Sequence, residues 1–214
     1  MSQGREREIN CEKSVYQDDS YFDLVQLSSF IYQIKNVRDF SPQSVVEIGV
    51  GSGFTSSYLR SAGYDVTTVD INQNLNPDVC SDLANLPNIK FEKSFDLVVC
   101  CQVLEHIPLD ELESNLEILS KLGRNLYLTL PSYYSYFGLG GILRLPHIRK
   151  DFGLYFKSPF RTKNLNDGIH LWEVDSENKS NRKVIEKMLL QFFKKVSISK
   201  IPLNPYHIQF KCFK

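Results

Sequence analysis

The segment Val45-Val46-Glu47-Ile48-Gly49-Val50-Gly51-Ser52-Gly53-Phe54-Thr55-Ser56-Ser57-Tyr58-Leu59 decides how the rest of the chain is read. It opens as an apolar run of the kind that fills a buried parallel strand. Three glycines follow at alternate positions, Gly49, Gly51 and Gly53. A helix-type segment then begins, with Thr55 and Ser56 as candidate caps. Strand, glycine loop and helix form the entry to a nucleotide-type site, because glycine tolerates positive φ and lets backbone approach a ligand closely.

A dinucleotide fingerprint places its third glycine three residues after the second. Phe54 occupies that position here, and the glycine comes one residue early. The pattern is Glu47-x-Gly49-x-Gly51-x-Gly53, followed by Asp70 at the end of the next apolar run, Val66 to Val69. A carboxylate closing a second strand can accept hydrogen bonds from both hydroxyls of a ribose. The combination resembles the class I S-adenosylmethionine-dependent methyltransferases. Phe95-Asp96-Leu97-Val98 followed by Val103-Leu104-Glu105-His106-Ile107 resembles the family's fourth motif, and His170-Leu171-Trp172-Glu173 resembles a subgroup of bacterial members.

The resemblance covers residues 40–131 by motif and 170–214 by element order. It implies an α/β fold with a Rossmann-like, mostly parallel seven-stranded sheet of order 3-2-1-4-5-7-6, ending in an antiparallel hairpin. It also implies S-adenosyl-L-methionine as cofactor, bound by Glu47, Gly49, Gly51 and Gly53. Asp70 would take the ribose and Ile71 would stack on the adenine. Asp82 and Leu83 would meet the adenine edge, and Cys101 and Gln102 would lie beside the methyl group. His170, with Glu173 setting its tautomer, and His106 are the candidate catalytic bases. No metal is implied.

The 214 residues suffice for one domain with a full core, expected over 1–214. The formal net charge of zero hides an asymmetry: residues 1–131 carry 10 Lys/Arg and 19 Asp/Glu, and the remainder 15 and 6. The basic half is expected to handle the acceptor, although two solvated faces of opposite sign would look the same. The five cysteines include no C-x-x-C pair, so zinc and redox motifs are not indicated. Cys80, Cys100 and Cys101 read as small buried hydrophobes. The charged opening, Met1 to Asn10, does not suit secretion, so a cytoplasmic setting is expected.

Residues 1–14 read as a frayed tail. Residues 20–39 read as a covering helix capped by Ser20, with Leu24, Leu27, Ile31 and Ile34 inward. Tyr16, Tyr21 and Phe22 are candidates to line the cleft, and Asn72 to support the ribose. Residues 132–168 depart from the minimal fold as a lid-like insertion. It is rich in aromatics (Tyr133, Tyr134, Tyr136, Phe137, Phe152, Tyr155, Phe156, Phe160) and cations (Arg144, Arg149, Lys150, Lys157, Arg161, Lys163).

Such a surface suits a small-molecule or carbohydrate acceptor, or peripheral membrane contact through 133–163. A nucleic-acid partner is disfavoured, because no basic helix or binding module is visible. Oligomeric state is open. The rival readings are a non-catalytic cofactor-binding scaffold of the same fold and a nicotinamide-dependent oxidoreductase. The glycine spacing and the terminal hairpin count against the second.

Overall fold

The computed structural model describes residues 3–158 and 170–214. Seven strands form the main sheet: β1 (Ser44–Ile48), β2 (Asp65–Asp70), β3 (Val79–Cys80), β4 (Phe95–Cys101), β5 (Gly123–Pro131), β8 (Lys195–Ile201) and β9 (Asn204–Phe213). Their spatial order is β3-β2-β1-β4-β5-β9-β8. Counting only these seven strands in chain order, that is the expected 3-2-1-4-5-7-6. The labels shift because β6 (Tyr136–Leu145) and β7 (Ile148–Lys157) form a separate two-stranded hairpin. The first five strands pair in parallel, and β9 enters antiparallel between β5 and β8.

Five α-helices lie among the described residues: α1 (Gln3–Asn10), α2 (Leu24–Phe40), α3 (Phe54–Ser61), α4 (Leu112–Leu122) and α5 (Arg182–Phe192). Alternation along β4 shows how the sheet is covered. Leu97 and Val99 point into a core with Val37 of α2 and Leu59 of α3. Val98 and Cys100 point into the opposite core with Leu112, Leu116 and Leu119 of α4 and Ile185 and Leu189 of α5. Both faces are buried, which is why β4 reads as a continuous apolar run.

Several sequence-based expectations are corrected. Residues 3–10 form a helix rather than a frayed tail. The covering helix starts at Leu24, because Asp23 accepts from the Gln26 N–H at 2.6 Å, and Ser20 lies in the preceding 3-10 turn. Leu24 and Ile31 face solvent, whereas Ser29, Gln33, Asn36 and Val37 face the sheet. That face bonds a polar network: Ser29 Oγ to His207 Nδ1 at 2.9 Å, and the Asn36 amide to Gln209 at 2.7 Å. Apolar spacing cannot register such a face.

α3 is capped by Gly53 in the left-handed region, φ 73°, not by Thr55 or Ser56, which lie inside the helix. Cys80 is exposed and Cys101 half-buried, while Cys100 and Cys212 are buried. The terminal turn is Pro202-Leu203, with Asn204 already in β9. Phe160, Arg161 and Lys163 lie outside the described residues. No described helix is long and apolar enough to cross a membrane.

Candidate active site

A cleft of about 400 Å³ opens over the carboxyl ends of β1, β2 and β4. This is where open α/β sheets bind ligands. The glycine loop forms one wall. Gly49 has φ +85°, and a Cβ there would lie 2.5 Å from Val103 Cγ2. Any larger residue would therefore strain the backbone and push the loop after β4 away from it.

Asp70 closes β2 against this loop. Its Oδ2 accepts the Val50 N–H at 2.7 Å and its Oδ1 the Asn72 N–H at 2.8 Å. Burial raises its pKa, and those two backbone donors oppose the rise. Each oxygen keeps a lone pair for a further donor.

Glu47, one residue before the end of β1, is buried, lines the cleft and has one carboxylate oxygen, Oε2, without a partner. Burial pushes its carboxyl up to about 8, against hydrogen bonding from Ser56. Ile71, Asp82, Leu83, Gly51, Cys101 and Gln102 also line the cleft. Gly53 acts one step back, as the cap of α3. Burial pushes the Cys101 thiol up, so it faces the cleft uncharged. Gln102 takes φ 57° and donates its backbone N–H to Thr129 O at 3.0 Å, which turns the chain sharply at the strand end.

The N-terminal helix closes over this region. Arg5 pairs with Asp82 at 2.9 Å and with Glu111 at 2.7 Å. The other oxygen of Asp82 caps a 3-10 turn by accepting the Ala84 N–H at 3.0 Å. Asn72 is fully committed elsewhere: its amide donates to Glu8 O at 2.9 Å and Cys11 O at 2.7 Å, holding the end of α1. It does not line the cleft, contrary to the expectation of a ribose contact. Tyr16 and Tyr21 do line it, and Phe22 does not.

The two candidate histidines meet. His106 and His170 lie edge to face with ring centroids 5.3 Å apart. His170 Nδ1 is 2.8 Å from Glu173 Oε1, as the H-x-W-E segment led us to expect. Tyr206, which sequence reasoning passed over, donates to the same oxygen at 2.6 Å. In the tautomer that carries its proton on Nδ1, His170 donates to Glu173 Oε1 and keeps the Nε2 lone pair as the acceptor.

Trp172 locks the segment in place. It is buried, its indole N–H donates to Ile107 O at 2.9 Å, and the Leu171 N–H donates to Glu105 O at 2.8 Å. Beneath the histidines, Glu105 is fully buried with neither carboxylate oxygen bonded. Burial holds its carboxyl well above the usual range. Glu105, His106 and His170 bring ligand-type atoms within 4.8 Å of one another, the one place among the described residues where metal-type donors converge. His106 Nδ1 also stands 3.6 Å from Glu8 of α1.

Tyr206, His207 and Gln33 are cleft residues that sequence reasoning missed. Each reaches the cleft from a remote element through tertiary packing, and none belongs to a local motif.

The sheet order, the glycine loop and the acidic residue closing β2 together define the class I S-adenosylmethionine-dependent methyltransferase fold. Residues 46–124 match the family described as "Methyltransferase domain". The magnesium protoporphyrin IX methyltransferase of Synechocystis PCC 6803, solved with bound S-adenosylhomocysteine, superposes with a TM-score of 0.60 at 15% identity, covering 100% of both chains. Streptomyces venezuelae DesVI superposes with a TM-score of 0.57 at 10% identity over 96% of this chain and 100% of that one. A ubiquinone biosynthesis O-methyltransferase from Rickettsia bellii is 29% identical over 96 residues. That alignment covers 39% of this chain and only 40% of the relative's own length.

Proposed function

We propose that this chain transfers a methyl group from S-adenosyl-L-methionine to an oxygen or nitrogen of a small-molecule or carbohydrate-type acceptor. The observation that carries the reading is Asp70, a carboxylate braced by two backbone N–H groups at the mouth of the glycine loop. Its remaining lone pairs suit two ribose hydroxyls. The buried, unpartnered Glu47 Oε2 fits a cofactor that carries an ammonium group. Ile71 offers an apolar flank for a purine, Asp82 and the Leu83 backbone an edge for it. Cys101 and Gln102 border the place where the methyl group would sit. When bound, the cofactor would supply an activated methyl carbon on a sulfonium, whose carbon–sulfur bond would break as the acceptor bonds to carbon, with the electron pair leaving on the sulfur.

The chain's own work is to hold acceptor and donor in line and to exclude water. His170, oriented by Glu173 and Tyr206, takes the acceptor's proton at Nε2 as the acceptor atom bonds to carbon. His106 is the second candidate for that proton. A readily ionised acceptor would need neither.

Calorimetric titration with S-adenosylhomocysteine tests the reading. Wild type should bind, and Asp70→Ala and Asp70→Asn should each lose roughly tenfold or more in affinity while keeping a cooperative melt. Absence of wild-type binding, or binding of NAD instead, overturns it. Binding without turnover of any acceptor would leave the non-catalytic scaffold.

A further inference from the structure

The β6–β7 hairpin has two unlike faces. Phe137 pairs with Phe156, Leu139 with Leu154, Gly141 with Phe152, Leu143 with Lys150 and Leu145 with Ile148. Cross-strand partners project to the same side. One side therefore consists of eight apolar side chains and a single lysine. All eight are exposed, from 47% for Leu143 to 73% for Leu139.

The opposite side holds the hairpin to the body. Tyr155 donates its hydroxyl to Pro202 O. Asp151 accepts from Tyr32 at 2.5 Å and from Lys35 at 2.8 Å. Gly140 and Gly153 lie flat on Pro202, and a Cβ on Gly140 would sit 2.5 Å from its carbonyl oxygen. These contacts fix which way the ribbon faces, and it is the apolar side that faces out.

An ordered apolar patch of this extent marks an interaction surface. Its charge indicates the partner. Arg144 and Arg149 pair next to the tip and are exposed, as is Lys150 on the apolar side itself. The ribbon's one carboxylate, Asp151, is on the body side and already engaged. Apolar side chains with a basic tip complement anionic phospholipid. A second copy would bring an identical set of cations to the contact, with no carboxylate on the apolar side of either copy to meet them. The ribbon's outer edges carry unpaired backbone groups, which headgroups and interfacial water can satisfy and hydrocarbon cannot.

We propose that the β6–β7 hairpin docks the protein on an anionic membrane surface, with its Phe137–Phe156 and Leu139–Leu154 side laid against the lipid. Sedimentation with vesicles tests this, using pure phosphatidylcholine beside an equimolar mixture with phosphatidylglycerol. Wild type should pellet with the mixed vesicles and be released by high salt. The double variant Leu139→Ser/Leu154→Ser should lose roughly tenfold or more in partitioning. Arg149→Glu/Lys150→Glu should lose a similar factor on mixed vesicles only. All replaced residues are exposed, so melting temperature and S-adenosylhomocysteine affinity should match wild type.

Wild type left in the supernatant overturns the proposal, as does undiminished pelleting of the serine variant. A wild-type dimer that the serine variant converts to monomer, with no vesicle binding by either, assigns the face to a second copy instead.

Discussion

Glu47 is expensive in the free protein. It is buried beside the glycine loop, and burial lifts its carboxyl to about 8 from an ordinary value of 4.5. The folded state therefore holds a proton that the unfolded chain releases. Its contribution to stability is complete below the unfolded pKa and is lost as pH rises through the folded one. Between those values the loss approaches about 1.4 kcal/mol per pH unit. Melts of wild type and Glu47→Gln at pH 5 and pH 8 should show the wild type falling by several kcal/mol more, to the order of magnitude of that slope. Equal pH dependence in the two proteins would refute the assignment. The placement of Glu47, the glycine loop and Asp70 at one cleft was legible in the sequence, since it follows from position on a strand end and a tight loop. Tyr206 was not. Its hydroxyl meets Glu173 only because β9 inserts beside β5, bringing together residues 33 apart in the chain.

At the scale of elements, the loop from His170 to Val174 works as a clamp. Val174 bridges Ser132 at the end of β5, and Trp172 reaches Ile107 in the loop after β4. Two segments that flank the cleft are thus tied to the one that carries His170. Trp172→Phe keeps most of the apolar volume but leaves the Ile107 carbonyl without its donor. A loss of about 1–3 kcal/mol is expected in denaturant melts, since an unpartnered buried acceptor retains its full desolvation cost. An unchanged midpoint would show that the indole hydrogen bond does not hold the clamp. The helix α1 makes the opposite case for sequence reading. Its residues are polar and carry no apolar stripe, so by local pattern it is a tail. It is held by Arg5 to Asp82 and Glu111, and by Asn72 to the carbonyls of Glu8 and Cys11. None of those partners is near it in sequence.

Across the whole molecule, the acidic and basic halves of the chain do not form separate bodies. β9, from the basic half, completes the sheet begun by the acidic half, and His170 and Tyr206 face Asp70 and Glu47 around one cleft. Ion pairs such as Lys35 with Asp151 and Lys211 with Asp39 join the two. Stability rests on the two apolar layers. Leu116 of α4 is completely buried in the larger one, so Leu116→Ala should cost about 2–5 kcal/mol in chemical denaturation. A much smaller loss would mean that α4 collapses into the space. By itself, the sequence determined the strand–glycine-loop–helix entry, the element order and the acidic residue that closes β2. Those features rest on backbone conformation and side-chain alternation, which are set by neighbours along the chain. Tertiary structure alone decided that α1 closes the cleft, that Tyr206 joins His170 and Glu173, and that the hairpin turns its apolar side outward. Each depends on a contact across tens of residues, and spacing along the chain carries no record of such contacts.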